Sequence, residues 1–196
     1  TKGDGTVVFT TTLEDLPATR AFGNGETANN LNYAVYDTDG ALVVKGTAPV
    51  SGKTATVTLQ LTSGVTYDIA FFATRKYSNV YTFDANNHKV TIDYTKMAGT
   101  STYVRYDDDC FYTVRKGYKA GSSAQENVTL RRPMSQINFG SNDLESDAVK
   151  KMYTRIYTNI QTTACNSLDL LSGEASGEEE ISLPLKYIND QTTLGQ

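Results

Sequence analysis

From Lys53 to Thr62 the chain alternates residue by residue. Val57, Leu59 and Leu61 fall on one side, and Thr56, Thr58, Gln60 and Thr62 on the other. A period of two suits an extended strand with one face buried and one face wet, and no helix presents it as a single stripe. The same pattern recurs along the chain. Val7 to Leu13 sets Val7, Phe9, Thr11 and Leu13 on one face. Leu31 to Tyr36 is a second strand that runs into Asp37-Thr38-Asp39-Gly40, a hairpin turn, and returns as Ala41 to Lys45. Ser63-Gly64 then turns the chain into Val65 to Thr74. Its apolar residues (Ile69, Ala70, Phe71, Phe72) lie on both faces, so it is expected at the centre of a sheet.

Further on, Tyr81 to Asp84 and Val90 to Tyr94 flank a turn at Ala85-Asn86-Asn87-His88. Phe111 to Arg115, Val128 to Arg131, Ser135 to Phe139 and Arg155 to Gln161 have strand character, and Ile181, Leu183, Leu185 and Tyr187 form a last alternating run. Asp143 to Tyr153 is the one good helix candidate. Asn142 or Asp143 caps it, Lys150 and Lys151 complement its dipole late, and Leu144, Ala148, Val149 and Met152 make its apolar stripe. Ser172 to Gly177 reads as a loop and Glu178-Glu179-Glu180 as a solvated charge run. A chain of 196 residues with many short strands and closely spaced turns predicts an all-β, two-sheet sandwich of about seven or more strands with one short helix.

The formal charge of -4 gives no basic footprint for nucleic acid. No apolar run is long enough for a membrane-spanning helix. The start, Thr1-Lys2-Gly3-Asp4-Gly5, shows no signal peptide and is compatible with a trimmed targeting segment. Catalysis finds little support. His88 is the single histidine, set in an Asn-rich turn and expected to be exposed and idle, and no nucleophile motif surrounds any Ser or Cys. We therefore expect no enzyme activity and no cofactor. Asp107-Asp108-Asp109 reads either as hard oxygen ligands for calcium or as a solvated loop. Asp37 to Gly40 looks like a piece of a calcium loop but lacks the downstream Glu, and a tight hairpin explains it better. Cys110 and Cys165 either pair across the sandwich or are two small buried residues. Asn127-Val128-Thr129 matches a glycosylation sequon on a predicted strand. Tyr77, Tyr81, Tyr103, Tyr106 and Tyr118 fall in or near loops. They would either line a sugar-binding surface or serve cross-strand packing.

Ala18-Thr19-Arg20-Ala21-Phe22-Gly23-Asn24-Gly25 reads as an open loop with an accessible Arg, suited to a trypsin-like protease. Cutting there would detach the first strand. A sheet missing a strand has unpaired backbone groups and an empty apolar groove that another chain can fill.

Three segments resemble the fimbrillin superfamily, the pilin and pilus-accessory proteins of Gram-negative anaerobes. The first is Ala18 to Gly25 followed by Leu31-Asn32-Tyr33-Ala34-Val35-Tyr36-Asp37, similar to the start of mature major fimbrillins. The second joins Val57-Thr58-Leu59-Gln60-Leu61 to Thr66-Tyr67-Asp68-Ile69-Ala70-Phe71-Phe72-Ala73. The third is Val128-Thr129-Leu130-Arg131-Arg132-Pro133-Met134-Ser135-Gln136-Ile137-Asn138-Phe139-Gly140. The resemblance implies a transthyretin-like Greek-key β-sandwich. Residues 1–20 would be a leader with the first strand, 21–188 the N-terminal domain, and 189–196 a linker or the start of a C-terminal domain. It further implies a protein of the outer membrane surface and pilus that reaches its site as a lipoprotein, its membrane contact made only through a lipid anchor outside this chain. Arg20 would precede the cut and Ala21 become the new N-terminus. Val7, Phe9, Thr11 and Leu13 would leave with the exchanged strand, each large apolar side chain worth roughly 1.5–3 kcal/mol of burial. The implied partners are other pilus subunits or a second copy, joined by strand addition, and a host protein or glycan as adhesive ligand. The alternative reading is a surface module that binds carbohydrate or a host ligand.

Overall fold

Alternating β-branched and aromatic residues produce strands along nearly all of what the computed structural model describes, namely residues 4–15, 27–97, 109–121, 123–133 and 162–181. The first five strands are β1 (Asp4–Leu13), β2 (Asn30–Tyr36), β3 (Leu42–Pro49), β4 (Thr54–Thr62) and β5 (Thr66–Thr74). Next come β6 (Tyr81–Asp84), β7 (Lys89–Ile92), the one-turn helix α1 (Tyr94–Met97), β8 (Cys110–Lys119) and β9 (Ser123–Leu130). Four short strands follow: β10 (Thr162–Ala164), β11 (Ser167–Asp169), β12 (Ala175–Ser176) and β13 (Glu179–Ile181). The helix expected at 143–153 and the strands expected at 135–139 and 155–161 lie outside the described residues.

The first sheet has the order β4-β1-β9. The second has the order β3-β2-β5-β8, with β2, β5 and β8 each antiparallel to its neighbour. Between them lies a core built from Val7, Phe9 and Leu13 of β1, Val57, Leu59 and Leu61 of β4, Leu31 and Val35 of β2, Ile69 and Phe71 of β5, and Leu130 of β9. This is the sandwich that the alternation predicts. As expected from its two apolar faces, β5 is an inner strand.

Beyond the two sheets of this sandwich the described residues form a third layer. The far face of the second sheet carries Ala34, Tyr36, Ala70, Phe72 and Cys110. These pack against Tyr81, Val90 and Leu168 of a further sheet ordered β12-β11-β7-β6, and against Leu170 just after β11. Side chains on a strand alternate between faces, so β2 and β5 supply one set of residues to each core. Two tyrosines of the second sheet fasten the outer layer. Tyr36 Oη donates to the Ala85 carbonyl at 2.9 Å, and Tyr112 Oη donates to the Leu170 carbonyl at 2.9 Å. Burial, with Asp84 and Asp169 nearby, pushes the Tyr36 phenol up to about 12, so it stays a donor at any ordinary pH. Glu179 does not belong to a purely solvated run. It lies in β13, which pairs with β10, and its carboxylate accepts from Asn166 Nδ2 at 3.2 Å.

Candidate functional site

The N-terminal strand does not lie at an edge. β1 runs between β4, to which it is antiparallel from Asp4↔Thr62 to Thr12↔Thr54, and β9, to which it is parallel from Thr6↔Ser123 to Leu13↔Leu130. Val7, Phe9, Thr11 and Leu13 are all buried. Phe9 is 0% exposed and rests against Phe71 (ring centroids 5.5 Å apart) and edge-on to Tyr118 (5.3 Å). Thr11 Oγ1 donates to the Ala55 carbonyl at 3.2 Å, so this polar side chain is buried with a partner. The hydroxyl of Tyr118, buried beside Phe9, has none. Without β1, the space would be a slot walled by β4 and β9 and floored by β2, β5 and β8.

The far end of the slot is held by charge. Between Ser51 and Thr54 the backbone makes a two-residue turn. Both central residues, Gly52 (φ 55) and Lys53 (φ 64), are left-handed, and Ser51 and Thr54 exchange backbone hydrogen bonds. The turn places the Lys53 carbonyl to accept from the Leu13 N–H at 2.9 Å and Lys53 Nζ to pair with Asp15 Oδ1 at 2.7 Å. On the β9 side, the Glu14 N–H donates to the Leu130 carbonyl at 2.9 Å and Glu14 Oε1 accepts from the Arg132 N–H at 2.7 Å. The Arg132 side chain turns to β8, where its Nε donates to Asp109 Oδ1 at 2.6 Å and its second amino group binds Asp109 Oδ2. Its guanidinium lies 5.2 Å from the centroid of Phe111, and the Asp109 pairing holds its pKa above the usual arginine value. At the other end Thr6 and Gln60 exchange side-chain hydrogen bonds on an exposed surface.

Arg20 and Ala21, the expected processing site, lie outside the described residues. So do Asp107, Asp108, Tyr103 and Tyr106. The calcium reading loses Asp109, whose carboxylate is occupied by Arg132 and the Cys110 N–H. Among the described residues no group of three or more His, Cys, Asp or Glu gathers for a metal ion. Tyr81 and Tyr118 are buried in the two cores and line no sugar surface. Among the described ones Tyr77 is open, 89% exposed at φ 67 beneath Lys76 Nζ, 5.2 Å from its ring centroid. His88, expected to be exposed and idle, is half-buried edge-on to Tyr36 at 4.8 Å, and its carbonyl accepts from the Leu170 N–H. The sequence reading missed the polar clamp of Glu14, Asp15, Lys53, Arg132 and Asp109. Arg132 and Asp109 drew attention only as parts of other motifs.

The two cysteines are not bonded; Cys110 is buried and Cys165 exposed. Burial pushes the Cys110 thiol up to about 12, and alkylation needs the thiolate. At neutral pH a thiol reagent should therefore titrate one cysteine in the folded protein and two in denaturant. Two equivalents without denaturant would contradict the burial of Cys110.

Among the described residues no helix is long and apolar enough to cross a membrane. A family model described as "Family of unknown function (DUF6562)" matches residues 1–193. No curated protein matches the chain. Three solved structures are similar. A fimbrial assembly protein from Parabacteroides distasonis is 12% identical, with TM-score 0.45 over 92% of this chain and 72% of its own. A provisionally named adhesin from Bacteroides ovatus is 12% identical, with TM-score 0.49 over 91% of this chain and 61% of its own. The tip fimbrial protein Mfa3 from Porphyromonas gingivalis is 13% identical, with TM-score 0.41 over 66% of this chain and 48% of its own. The chain thus spans about half the length of that last protein.

Proposed function

The chain belongs to DUF6562, a family of unknown function, and from its geometry we propose a structural protein of the cell surface that works in pilus assembly and adhesion by β-strand addition. The observation that carries the reading is the position of β1. It is the first strand in the chain, it is paired on both sides, and its inward residues fill the core. Taking away an edge strand would expose one ladder. Taking away this one would unpair β4 and β9 together and uncover the apolar floor, a vacancy that a strand from another subunit fits. In this reading Arg20 is the processing residue, Ala21 starts the processed chain, and Val7, Phe9, Thr11 and Leu13 leave with the strand. Residues 21–188 then form the domain that remains, and 189–196 lead out of it. The resemblance of the sequence around Arg20 to the fimbrillin start adds support. The partners are other pilus subunits or a second copy. The site of action is the outer surface, reached as a lipoprotein.

Limited digestion of the folded protein with an Arg-specific protease, followed by N-terminal mass analysis and sizing, tests the reading. The expected result is a new N-terminus at Ala21, loss of the first strand and growth of oligomers. A protected Arg20, or a cut chain that stays monomeric, would overturn it. It would turn attention to the second reading, a ligand-binding module, which the exposed and strained Tyr77 favours.

A further inference from the structure

The slot that β1 fills contains a polar group that its occupant leaves unsatisfied. Among the described residues the buried side-chain atoms without a hydrogen-bond partner are Thr27 Oγ1 and Tyr118 Oη. Tyr118 belongs to β8, stands opposite Tyr67 of β5, and is 4% exposed. Its ring meets that of Phe9 edge-on, so the N-terminal strand helps to cover it. Neighbouring hydroxyls are paired. Thr11 Oγ1 donates to the Ala55 carbonyl, and Tyr67 Oη accepts from the Thr62 N–H at 3.3 Å. Glu126 of β9, directly opposite Phe9, is a nearby carboxylate, but its Oε2 faces Arg115 Nε at 3.8 Å. The Arg115 guanidinium lies 6.0 Å from the Tyr118 ring centroid and offers only donors. Burial first, and Glu126 after it, raise the Tyr118 phenol above the usual tyrosine value, so at neutral pH it is an O–H donor that needs an acceptor.

Phenylalanine has no acceptor to give. A buried donor without a partner weakens the state that buries it, because its hydration is lost and nothing replaces it. We propose that Tyr118 selects the strand that replaces β1: the incoming strand carries, at the place of Phe9, a side chain of similar length with a hydrogen-bond acceptor, as histidine or glutamine has, and the resident strand is the weaker occupant for lacking one. Exchange then runs toward the partner, because a bond absent before it is made by it. The proposal rests on the strand-addition reading above, and its test keeps the two apart.

A site for a sequence-specific protease is placed in the full chain between Asp15 and Thr27, so that release of β1 does not depend on Arg20. The cut protein is incubated with fluorescent Asp4–Asp15 peptides at slightly alkaline pH, and binding is read by anisotropy. One peptide is unaltered. The others carry, in place of Phe9, each of the isomers of pyridylalanine, which keeps the shape of phenylalanine and turns one ring C–H into an acceptor nitrogen. One isomer should bind about tenfold more tightly than the unaltered peptide, and the advantage should vanish when the protein carries Tyr118→Phe. No gain with any isomer, or a gain that persists in Tyr118→Phe, overturns the proposal and leaves strand addition standing. Entry of no peptide overturns both. The uncut chain gives an independent reading: Tyr118→Phe should leave the urea midpoint unchanged or raise it, since the hydroxyl makes no bond there. A lowered midpoint would mean that the hydroxyl already has an acceptor, and would also overturn the proposal.

Discussion

Replacing Phe9 with alanine should remove about 3–5 kcal/mol of folding stability, measured as a shift of the urea midpoint with an unchanged slope. The side chain is wholly buried. It touches Phe71 and Tyr118 from two strands of the facing sheet, so its loss leaves a cavity that neither can collapse into without leaving its own strand register. Domains are commonly stable by only 5–15 kcal/mol, so the variant should stand close to its unfolding limit at room temperature. Thr12→Ala, on the exposed face of the same strand, should change stability by no more than about 0.5 kcal/mol. A loss below about 1 kcal/mol for Phe9→Ala would mean that β1 does not pack as the structure has it.

Asp109→Ala should be nearly as damaging, at about 3–5 kcal/mol, because it takes the bidentate carboxylate away from a nearly buried guanidinium. The side chains of Asp109 and Arg132 are 7% and 14% exposed, too little for water to take over from the lost carboxylate. The Cys110 N–H loses its acceptor in the same substitution. The pair itself is a weaker stabiliser than this number suggests, since both ions were desolvated to make it. Asp109→Leu combined with Arg132→Met should recover most of the loss, as the methionine can still cover Phe111 while the backbone N–H keeps Glu14. If the double variant were as unstable as Asp109→Ala, the buried charge would not be the cause.

What the sequence discloses follows from how local each signal is. The alternation at Lys53 to Thr62 and at Val7 to Leu13 is complete within a few residues, and both segments fold with the expected face inward. The doubled apolar face of Val65 to Thr74 announced an inner strand, which β5 is. The outer sheet left no such trace. β11 and β12 are three and two residues long, too short for a period to register, and what covers the far face of β2 and β5 is decided by tertiary packing. The parallel pairing of β1 with β9 joins residues more than a hundred positions apart, and no local pattern encodes it. Separation hides the clamp as well, in which Glu14 meets Arg132 118 positions on and Arg132 meets Asp109 23 positions back. Asp109 looked like part of an acidic loop because its partner, Arg132, comes after β9, in a distant part of the sequence. Phe9 and its neighbours were legible as a buried face; the polar end that follows them was not.

The double-faced sheet of β2 and β5 divides the interior into two sealed compartments, as a bulkhead divides a hull. Drawing out β1 would flood one of them. The other, closed by Tyr36 and Tyr112 against the outer layer, shares no β1 side chain and would stay dry. With β1 withdrawn, β2, β5 and β8 would still be packed on their other face against the outer layer.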